Sequence, residues 1–531
     1  MQQVLHIFKK DIRRHGLEIF ISLALVGLYA KIMTRPTDHD RMMTPNYIPW
    51  AEISVSTLAP LMIIFWIFLT IRVVQSERLV GDTQWWITKP YEWWKLLAAK
   101  EVFLLAFIGA PLFLVQLYIL RHAGFAIHSH FIGVISMQFA LALIVLLPAV
   151  ALASLTKNLG QAFIVLLIVF VLFSTVASQL SKIPNSGMSS AVQGLEEIKS
   201  VLLLGSIIGT AGWQYARRKT WASRGFLAAG AAVVVLISAF TPYAMFVNRK
   251  YPMLEPKDAP AQIFAGVLPK STKTLPEWFD RIREIPLTIP INASGVRAGE
   301  VVLVDGIRLM METPSGAKWE PGWTPQAMIF WPEGGQNQIS YQIDRKMFDQ
   351  IKAQTGTLHI EFALTEYQAE DARDLLVRRG EFADPLLGLC AFSPRNPALI
   401  MCRRPFHTPG LIATFDPSQV SCPVPADDNA IPEDKISHAW YPPSNEDSAG
   451  PGLNPVETYP LTFGSRQMVF TSDKRQKQIT VYLCPGAKVT LAKPHVARHV
   501  RIKVDLNNIT LPDLINSGDA TRVASQIGLI N

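Results

Sequence analysis

Long apolar runs fill the first half of the chain, and short alternating runs fill the second half. Each long run approaches or exceeds about 18 residues, close to the length that a helix needs to cross ~30 Å of hydrocarbon. The pattern therefore predicts an α-helical polytopic membrane domain over residues 1–247. Its seven predicted spans are residues 17–33, 55–74, 102–120, 131–155, 162–180, 199–215 and 225–247.

Residues 248–531 read as a separate β-rich domain that is rich in proline and polar residues. Many short β-type runs are separated by Gly, Pro and Asp turns, which favours a sandwich-like fold. The runs on either side of Asp305-Gly306 predict a hairpin that turns at this dipeptide. Two stretches predict helices instead, residues 348–354 and residues 367–379, with the acidic residues of the second on a solvated helix face or in a loop.

The basic residues predict how the spans are oriented, because cytoplasmic connections carry an excess of Lys and Arg. One alternate set of connections holds fourteen basic residues: Lys9, Lys10, Arg13, Arg14, Arg72, Arg78, Lys89, Lys95, Lys100, Lys157, Arg217, Arg218, Lys219 and Arg224. The other set holds six: Lys31, Arg35, Arg41, Arg121, Lys182 and Lys199. We therefore expect a multi-pass membrane protein with a cytoplasmic N-terminus and an extracytoplasmic C-terminal domain.

Residues 76–101, which we name the coupling segment, join spans two and three on the predicted cytoplasmic side. Two Trp doublets, Trp85-Trp86 and Trp93-Trp94, lie among charges of both signs. From Tyr91 onward, the helical spacing predicts one apolar face made by Tyr91, Trp94, Leu97 and Ala98. Such a segment either anchors the chain at the membrane interface or forms a surface for a partner protein.

Sequence motifs for catalysis are missing from the chain. It has no G-x-x-x-x-G-K-[ST], no H-E-x-x-H and no G-x-S-x-G, so we predict no catalytic residue and no ATP site of its own. No metal site is predicted, because His122, His128 and His130 read as interfacial residues and His495 and His499 as part of a strand. The net charge of +8 does not imply nucleic acid, because the basic residues cluster at the ends of apolar runs.

Two acidic residues and four cysteines remain as candidates. Glu196 and Glu197 precede span six, where they either line an outer vestibule or simply face water. All four cysteines lie in the second half: Cys390, Cys402, Cys422 and Cys484. If that half is outside the cytoplasm, one or two disulfides are expected, with three pairings open. Buried free thiols are the alternative.

The order of features around the coupling segment resembles the permease subunits of type-2 ABC exporters. Glu77-Arg78 and Gly81 match the form E-[KR]-x-x-G, Lys89-Pro90 follow, and Lys100 lies where span three begins. In that family this segment rests on a separate ATP-hydrolysing subunit, and six spans per subunit form a dimeric pathway. The resemblance covers about Met1–Trp213. It implies that eight residues lie at or near the ATPase contact: Glu77, Arg78, Gly81, Asp82, Pro90, Trp93, Trp94 and Lys100.

The resemblance implies a permease subunit of an ATP-driven exporter, with a second permease copy or a homologous permease, and membrane lipid, as further partners. ATP and Mg²⁺ would be bound by the partner ATPase, and no cofactor by this chain. The seventh span and the large C-terminal domain depart from the family pattern. Two alternatives are a multi-span anchor that presents a binding module and a membrane-embedded enzyme that acts on lipid or cell wall.

Overall fold

The structure is a computed structural model. It describes residues 2–34, 50–76, 92–180, 193–217, 219–241, 243–267, 279, 282–392, 399–405, 410–420, 422, 431–432, 436–441, 453–463, 468–470 and 476–515. Helices dominate up to residue 250, and strands dominate after it. A membrane-like helical part followed by a β-rich part is therefore confirmed.

The helices have the following bounds: α1 Gln2–Arg14, α2 Gly16–Met33, α3 Trp50–Gln75, α4 Trp93–Leu104, α5 Ala110–His122, α6 Ile127–Leu141, α7 Leu147–Leu155, α8 Leu159–Leu180, α9 Gln193–Arg217, α10 Thr220–Phe240, α11 Tyr243–Lys250 and α12 Arg345–Ile351. A π-helical turn, Leu105–Gly109, joins α4 to α5, and a second, Ala142–Leu146, joins α6 to α7. The two pairs thus form continuous apolar helices, Trp93–His122 and Ile127–Leu155.

Five described helices are long and apolar enough to cross a membrane: Gly16–Met33, Thr57–Gln75, Trp93–His122, Ile127–Leu155 and Thr220–Phe240. These correspond to predicted spans one to four and seven. Predicted span five lies in α8. The apolar stretch described there, Leu159–Leu172, is shorter than the 18 residues of a candidate span. Predicted span six lies in α9, which carries charged residues at both ends and is not among the five.

The seventh span ends earlier than predicted. α10 stops at Phe240, and α11 begins as a separate short helix at Tyr243. The sequence places Pro242 between them, and proline disfavours helical backbone in the residue before it. The run to residue 247 is therefore two elements, of which only the first has the length of a span.

Contacts divide the chain into two units, and the division does not follow the chain order. The first unit comprises Met1–Thr175, Ile198–Ile237 and Ala372–Ala492, and the second comprises Val176–Glu197, Ser238–Asp371 and Lys493–Asn531. The domain boundary predicted at residue 247 divides the membrane-spanning residues from those predicted to lie outside the membrane. The two units, in contrast, are defined by which residues pack together. That boundary therefore stays a prediction.

The strands have the following bounds: β1 Gln262–Ala265, β2 Glu284–Ser294, β3 Glu300–Glu312, β4 Lys318–Phe330, β5 Gly335–Asp344, β6 Gly356–Leu376, β7 Gly380–Asp384, β8 Gly388–Phe392, β9 Leu399–Pro405, β10 Leu411–Phe415, β11 Ile431–Pro432, β12 Ser437–Tyr441, β13 Val456–Thr462, β14 Met468–Phe470, β15 Gln476–Thr480 and β16 Lys488–Ile509. In the first unit, four antiparallel strands follow the order β13-β9-β8-β7, and β10 lies between β12 and the start of β16. In the second unit, β2 lies between β1 and β5, and β3 lies between β4 and β6.

The hairpin predicted at Asp305-Gly306 is wrong. β3 runs straight through this dipeptide, and its pairing with both neighbours shifts register between Val304 and Gly306. The two residues thus form a β-bulge, a place where glycine inside a strand is common. The turn comes later, where the Thr313 amide donates to the Ala317 carbonyl and Gly316 adopts a φ of +82°.

The helix predicted for residues 367–379 is also wrong, because β6 extends to Leu376. Acidic residues here lie opposite bases of β16 rather than on a solvated helix face. Asp374 pairs with Lys488, and Asp371 pairs with Lys493. Opposite charges on adjacent strands stabilise a strand that propensity alone disfavours. The other predicted helix, residues 348–354, overlaps α12 and is confirmed in part.

Candidate coupling site

Only the two ends of the coupling segment are described. Glu77, Arg78, Gly81, Asp82 and Pro90 lie outside the described residues, so their predicted contact with an ATPase stays a prediction. The description ends at Ser76 and resumes at Glu92, directly before α4. Trp93, Trp94 and Lys100 lie in α4.

The two tryptophans are exposed at the first turn of α4. Trp93 is 44% exposed and Trp94 49% exposed. Lys95 forms an ion pair with Glu92 at 2.6 Å, and its ammonium lies 5.1 Å from the Trp94 ring centroid. The residues that α4 buries within the protein are Leu96, Ala99, Lys100, Phe103 and Leu104, so the predicted membrane-facing position of Trp94 stays a prediction. Half-exposed aromatic rings beside charges are left on the other side of the helix.

Lys100 points inward and joins three elements. It is 1% exposed, and its Nζ lies 2.7 Å from Oδ2 of Asp11, which is 0% exposed. The same Nζ donates to the Ser76 hydroxyl at 3.0 Å. Ser76 precedes the undescribed part of the coupling segment and Lys100 follows it, so this lysine fixes both ends of the segment to α1. We name Asp11, Ser76 and Lys100 the lysine tie.

α1 is amphipathic and packs against α4 and the π turn that follows it. Ile7 and Asp11 are its buried residues, and the Phe8 ring stacks on Phe107 with centroids 6.0 Å apart. Arg14 donates to the Ser76 carbonyl at 3.3 Å, which adds a second contact between α1 and the end of α3. The basic stretch before the first predicted span is thus a helix of its own and a structural element of the site, although the sequence predicted only a cytoplasmic connection there.

The remaining contacts bring further helix ends to the same place, which we name the basal end. Arg72 of α3 pairs with Glu18 of α2 at 3.4 Å. Gln75 donates to the Thr156 hydroxyl at 2.9 Å, and Arg224 donates to the Leu155 carbonyl at 2.7 Å. Four described members of the fourteen-residue basic set therefore lie at one end of the helices, as expected if the spans alternate in direction: Arg14, Arg72, Lys100 and Arg224.

The other candidates lie elsewhere. Glu196 and Glu197 are in the first turns of α9, where Glu197 is exposed. His122 Nε2 donates to the Thr34 carbonyl at 2.7 Å, and the His130 ring packs edge-on against Phe125. His495 lies on β16, as the strand prediction required. Among the described residues, no group of three His, Cys, Asp or Glu side chains could hold a metal ion.

The four cysteines form two disulfides within the first unit. Cys390 of β8 pairs with Cys402 directly opposite on β9, and Cys422 pairs with Cys484. This choice among the three pairings follows from strand register, which sequence spacing alone does not reveal. Disulfides are typical of compartments outside the cytoplasm.

One polar cluster was not foreseen, and it lies at the Asp305 bulge in the second unit. Asp305 Oδ2 accepts from the Tyr251 hydroxyl at 2.9 Å and from the Thr365 hydroxyl. Since the Thr365 proton points to Asp305, Nδ1 of His499 donates to Thr365 Oγ1 at 2.8 Å. Burial raises the pKa of Asp305, while the two hydroxyls and Lys250 oppose that shift. Burial also lowers the pKa of His499.

Comparison with known proteins adds no relative to this picture, since no family profile and no characterised protein matches the chain.

Proposed function

We propose that the chain is the permease subunit of an ATP-driven exporter and that its coupling segment receives force from a separate ATPase. The lysine tie is the observation that carries this proposal. Lys100 fixes the two ends of the segment to α1, so that the segment is held on an anchored base. Trp93 and Trp94 stay exposed next to that base, and exposed aromatics with mixed charge are typical of protein interfaces.

The proposal also includes the architecture and location of the permease subunit. They are a six-span core with a seventh span, a second permease copy, an inner-membrane location and a sandwich-like outer domain. The basal end would face the cytoplasm, in agreement with its basic residues, and the disulfide-bonded part would lie outside. ATP and Mg²⁺ would be bound by the partner, and the chain itself would be mechanical, with two arrangements of packed helices and no catalytic residue.

The test is purification of the full chain from its native membrane. We expect a small P-loop ATPase to co-purify, and we expect Glu77→Lys or Arg78→Glu to reduce its amount at least severalfold. Lys257→Glu is the matched control, because Lys257 is an exposed base in the second unit that pairs with Glu255. An absent ATPase, or an equal amount with all three variants, would contradict the proposal and favour an anchor or an enzyme.

A further inference from the structure

A short segment of the β-rich part is inserted among the apolar helices. Leu453 and Val456 are buried in the same hydrophobic core as the residues of α2 to α7, 5% exposed each. Pro455, together with Pro405 of β9, closes a cavity whose other walls come from α5 and α6: Leu120, Ser129, His130, Gly133, Val134 and Met137. We name Leu453–Val456 the strap. It lies at the distal end of the helices, where α5 ends and α6 begins.

Two glutamines hold the strap. The Gln116 side chain donates to the Leu453 carbonyl at 3.0 Å, and Gln138 donates to Oε1 of Gln116 at 2.7 Å. Gln116 is 1% exposed on an apolar helix, where an unpaired amide would be costly. The strap carbonyl thus completes a chain of hydrogen bonds that begins on α6, crosses α5 and ends in the β-rich part.

A second contact fixes the same end of the helices to β8. The Leu389 amide donates to the Ala123 carbonyl at 3.3 Å. The Phe125 ring lies directly over Gly388, so that a side-chain carbon at residue 388 would overlap it. The β-rich part of the first unit therefore contacts the helices at two separate points. The first is the hydrogen bond from Gln116 to the strap, and the second is the packing of the Phe125 ring on Gly388.

We propose that the strap couples the β-rich part of the first unit to the helix that carries Trp93 and Trp94. Trp93–His122 is one continuous helix of 30 residues, or about 45 Å. Lys100, in the first turns of this helix, binds Asp11, and Gln116 donates to the Leu453 carbonyl of the strap near the other end of the helix. A movement of the coupling segment therefore reaches residues 453–463 through one continuous helix. The transmission rests on the proposed function, whereas the strap contact itself does not.

The π-helical turns give this arrangement a place to bend. Leu105–Gly109 lies between the lysine tie and Gln116, and Ala142–Leu146 interrupts the neighbouring helix beyond Gln138. Such turns inside α-helices occur at functional sites and where helices change direction. The strap thus contacts the segments beyond both turns, α5 and α6, and follows their motion.

Hydrogen–deuterium exchange of the full chain in detergent tests the strap without any ATPase. Gln116→Leu should raise the exchange rate of residues 453–463 by about three- to tenfold, the range expected for one lost hydrogen bond. Gln138→Leu should give a smaller rise, since it only frees Oε1 of Gln116. Gln214→Leu is the control, because this buried glutamine of α9 donates to the Thr220 hydroxyl rather than to a strap carbonyl. Unchanged exchange in Gln116→Leu would overturn the proposal.

A second arm tests transmission, with the co-purified ATPase present. A non-hydrolysable ATP analogue should change exchange at residues 453–463 in the native chain and not in Gln116→Leu. If no ATPase binds, the proposed function is contradicted. The exchange measured for Gln116→Leu without ATPase still decides whether Gln116 holds the strap. If the analogue leaves exchange unchanged although Gln116→Leu loosens the strap, the transmission is overturned and the contact alone survives.

Discussion

The two ends of the helix Trp93–His122 are held by different chemistry. At the basal end, a buried ion pair joins Lys100 to Asp11, with Ser76 as a further partner. At the distal end, neutral amides join Gln116 to Gln138 and to the Leu453 carbonyl. One helix therefore carries a charged anchor and an uncharged anchor on opposite sides of its π turn.

The difference lies in what each anchor costs when it is broken. A buried charge that loses its partner keeps its full desolvation penalty, so the ion pair behaves as all or nothing. A buried neutral amide that loses its partner costs about 1–3 kcal/mol, which is less than an uncompensated buried charge and is a cost that the binding of a ligand or a partner can supply. We infer a permanent joint at the basal end and a releasable one at the distal end.

Lys100→Ala gives the largest expected effect. It leaves the Asp11 carboxylate buried without a cation, which should lower the free energy of unfolding by about 3–5 kcal/mol. The measurement is a denaturation curve of the full chain in detergent micelles. Asp11→Leu with Lys100→Met removes both charges and should cost far less. A single variant as stable as the double variant would show that the tie is not charge-dependent.

Gly388→Ala comes next and addresses the shape of the distal end. Overlap with the Phe125 ring should destabilise the first unit by about 1–3 kcal/mol. Gly380→Ala is the matched control, since Gly380 has a similar positive φ of +76° and nothing within 4 Å of the added carbon. Phe125→Ala should restore only part of the loss, because the Arg403 carbonyl also lies close to residue 388. Equal losses at residues 380 and 388 would leave backbone strain as the whole effect.

Asp305→Asn tests a buried carboxylate that accepts hydrogen bonds from hydroxyl groups. Asp11 differs from it, because Asp11 is paired with a lysine. Burial raises the pKa of Asp305 above its usual value of 3.8, so the native state binds this proton more tightly than the unfolded chain does. The stabilisation that protonated Asp305 contributes is fully present below pH 3.8. It is lost as the pH rises through the pKa that Asp305 has in the native state. Relative to the native chain, Asp305→Asn should therefore gain thermal stability as the pH rises from 4.

Asp416→Asn should show the opposite trend. Hydrogen bonds from Ser418 and Gln419 lower the pKa of Asp416, so its contribution is present above 3.8 and lost as the pH falls through the native pKa. Burial lowers the pKa of His499 and the Asp305 charge raises it, so His499→Gln in both compared chains removes that titration from the difference. If both variants changed in the same direction with pH, the burial of Asp305 would not explain its behaviour.

The helical part could be predicted where the hydrophobic pattern is long and uninterrupted. Spans one to four and most of span seven follow from length and hydropathy alone. The end of α10 departs from the pattern because apolar residues continue beyond Pro242, and hydropathy does not register a helix stop. α9 departs because Glu196, Glu197 and Lys199 open a helix that the pattern assigned to the membrane only from residue 199.

The polar anchors could not be predicted, because each joins residues far apart in the chain. Asp11 precedes Lys100 by 89 positions, and Gln116 precedes Leu453 by 337. One signal was present for Asp11, a single acidic residue inside a basic amphipathic stretch. At Asp305, local turn chemistry predicted a hairpin, but pairing on both sides of β3 outweighed it and left a bulge.

Lys95→Ala gives the smallest expected effect and tests what the exposed face of α4 is for. Its ion pair with Glu92 lies at the surface, where such pairs contribute little to stability, so the unfolding curve should not change. The Lys95 ammonium also lies over the Trp94 ring, 5.1 Å from its centroid. If that face binds the ATPase, Lys95→Ala should reduce co-purification slightly, and Trp93→Ala with Trp94→Ala should reduce it strongly at unchanged stability. Loss of stability without loss of co-purification would make the tryptophans membrane anchors only.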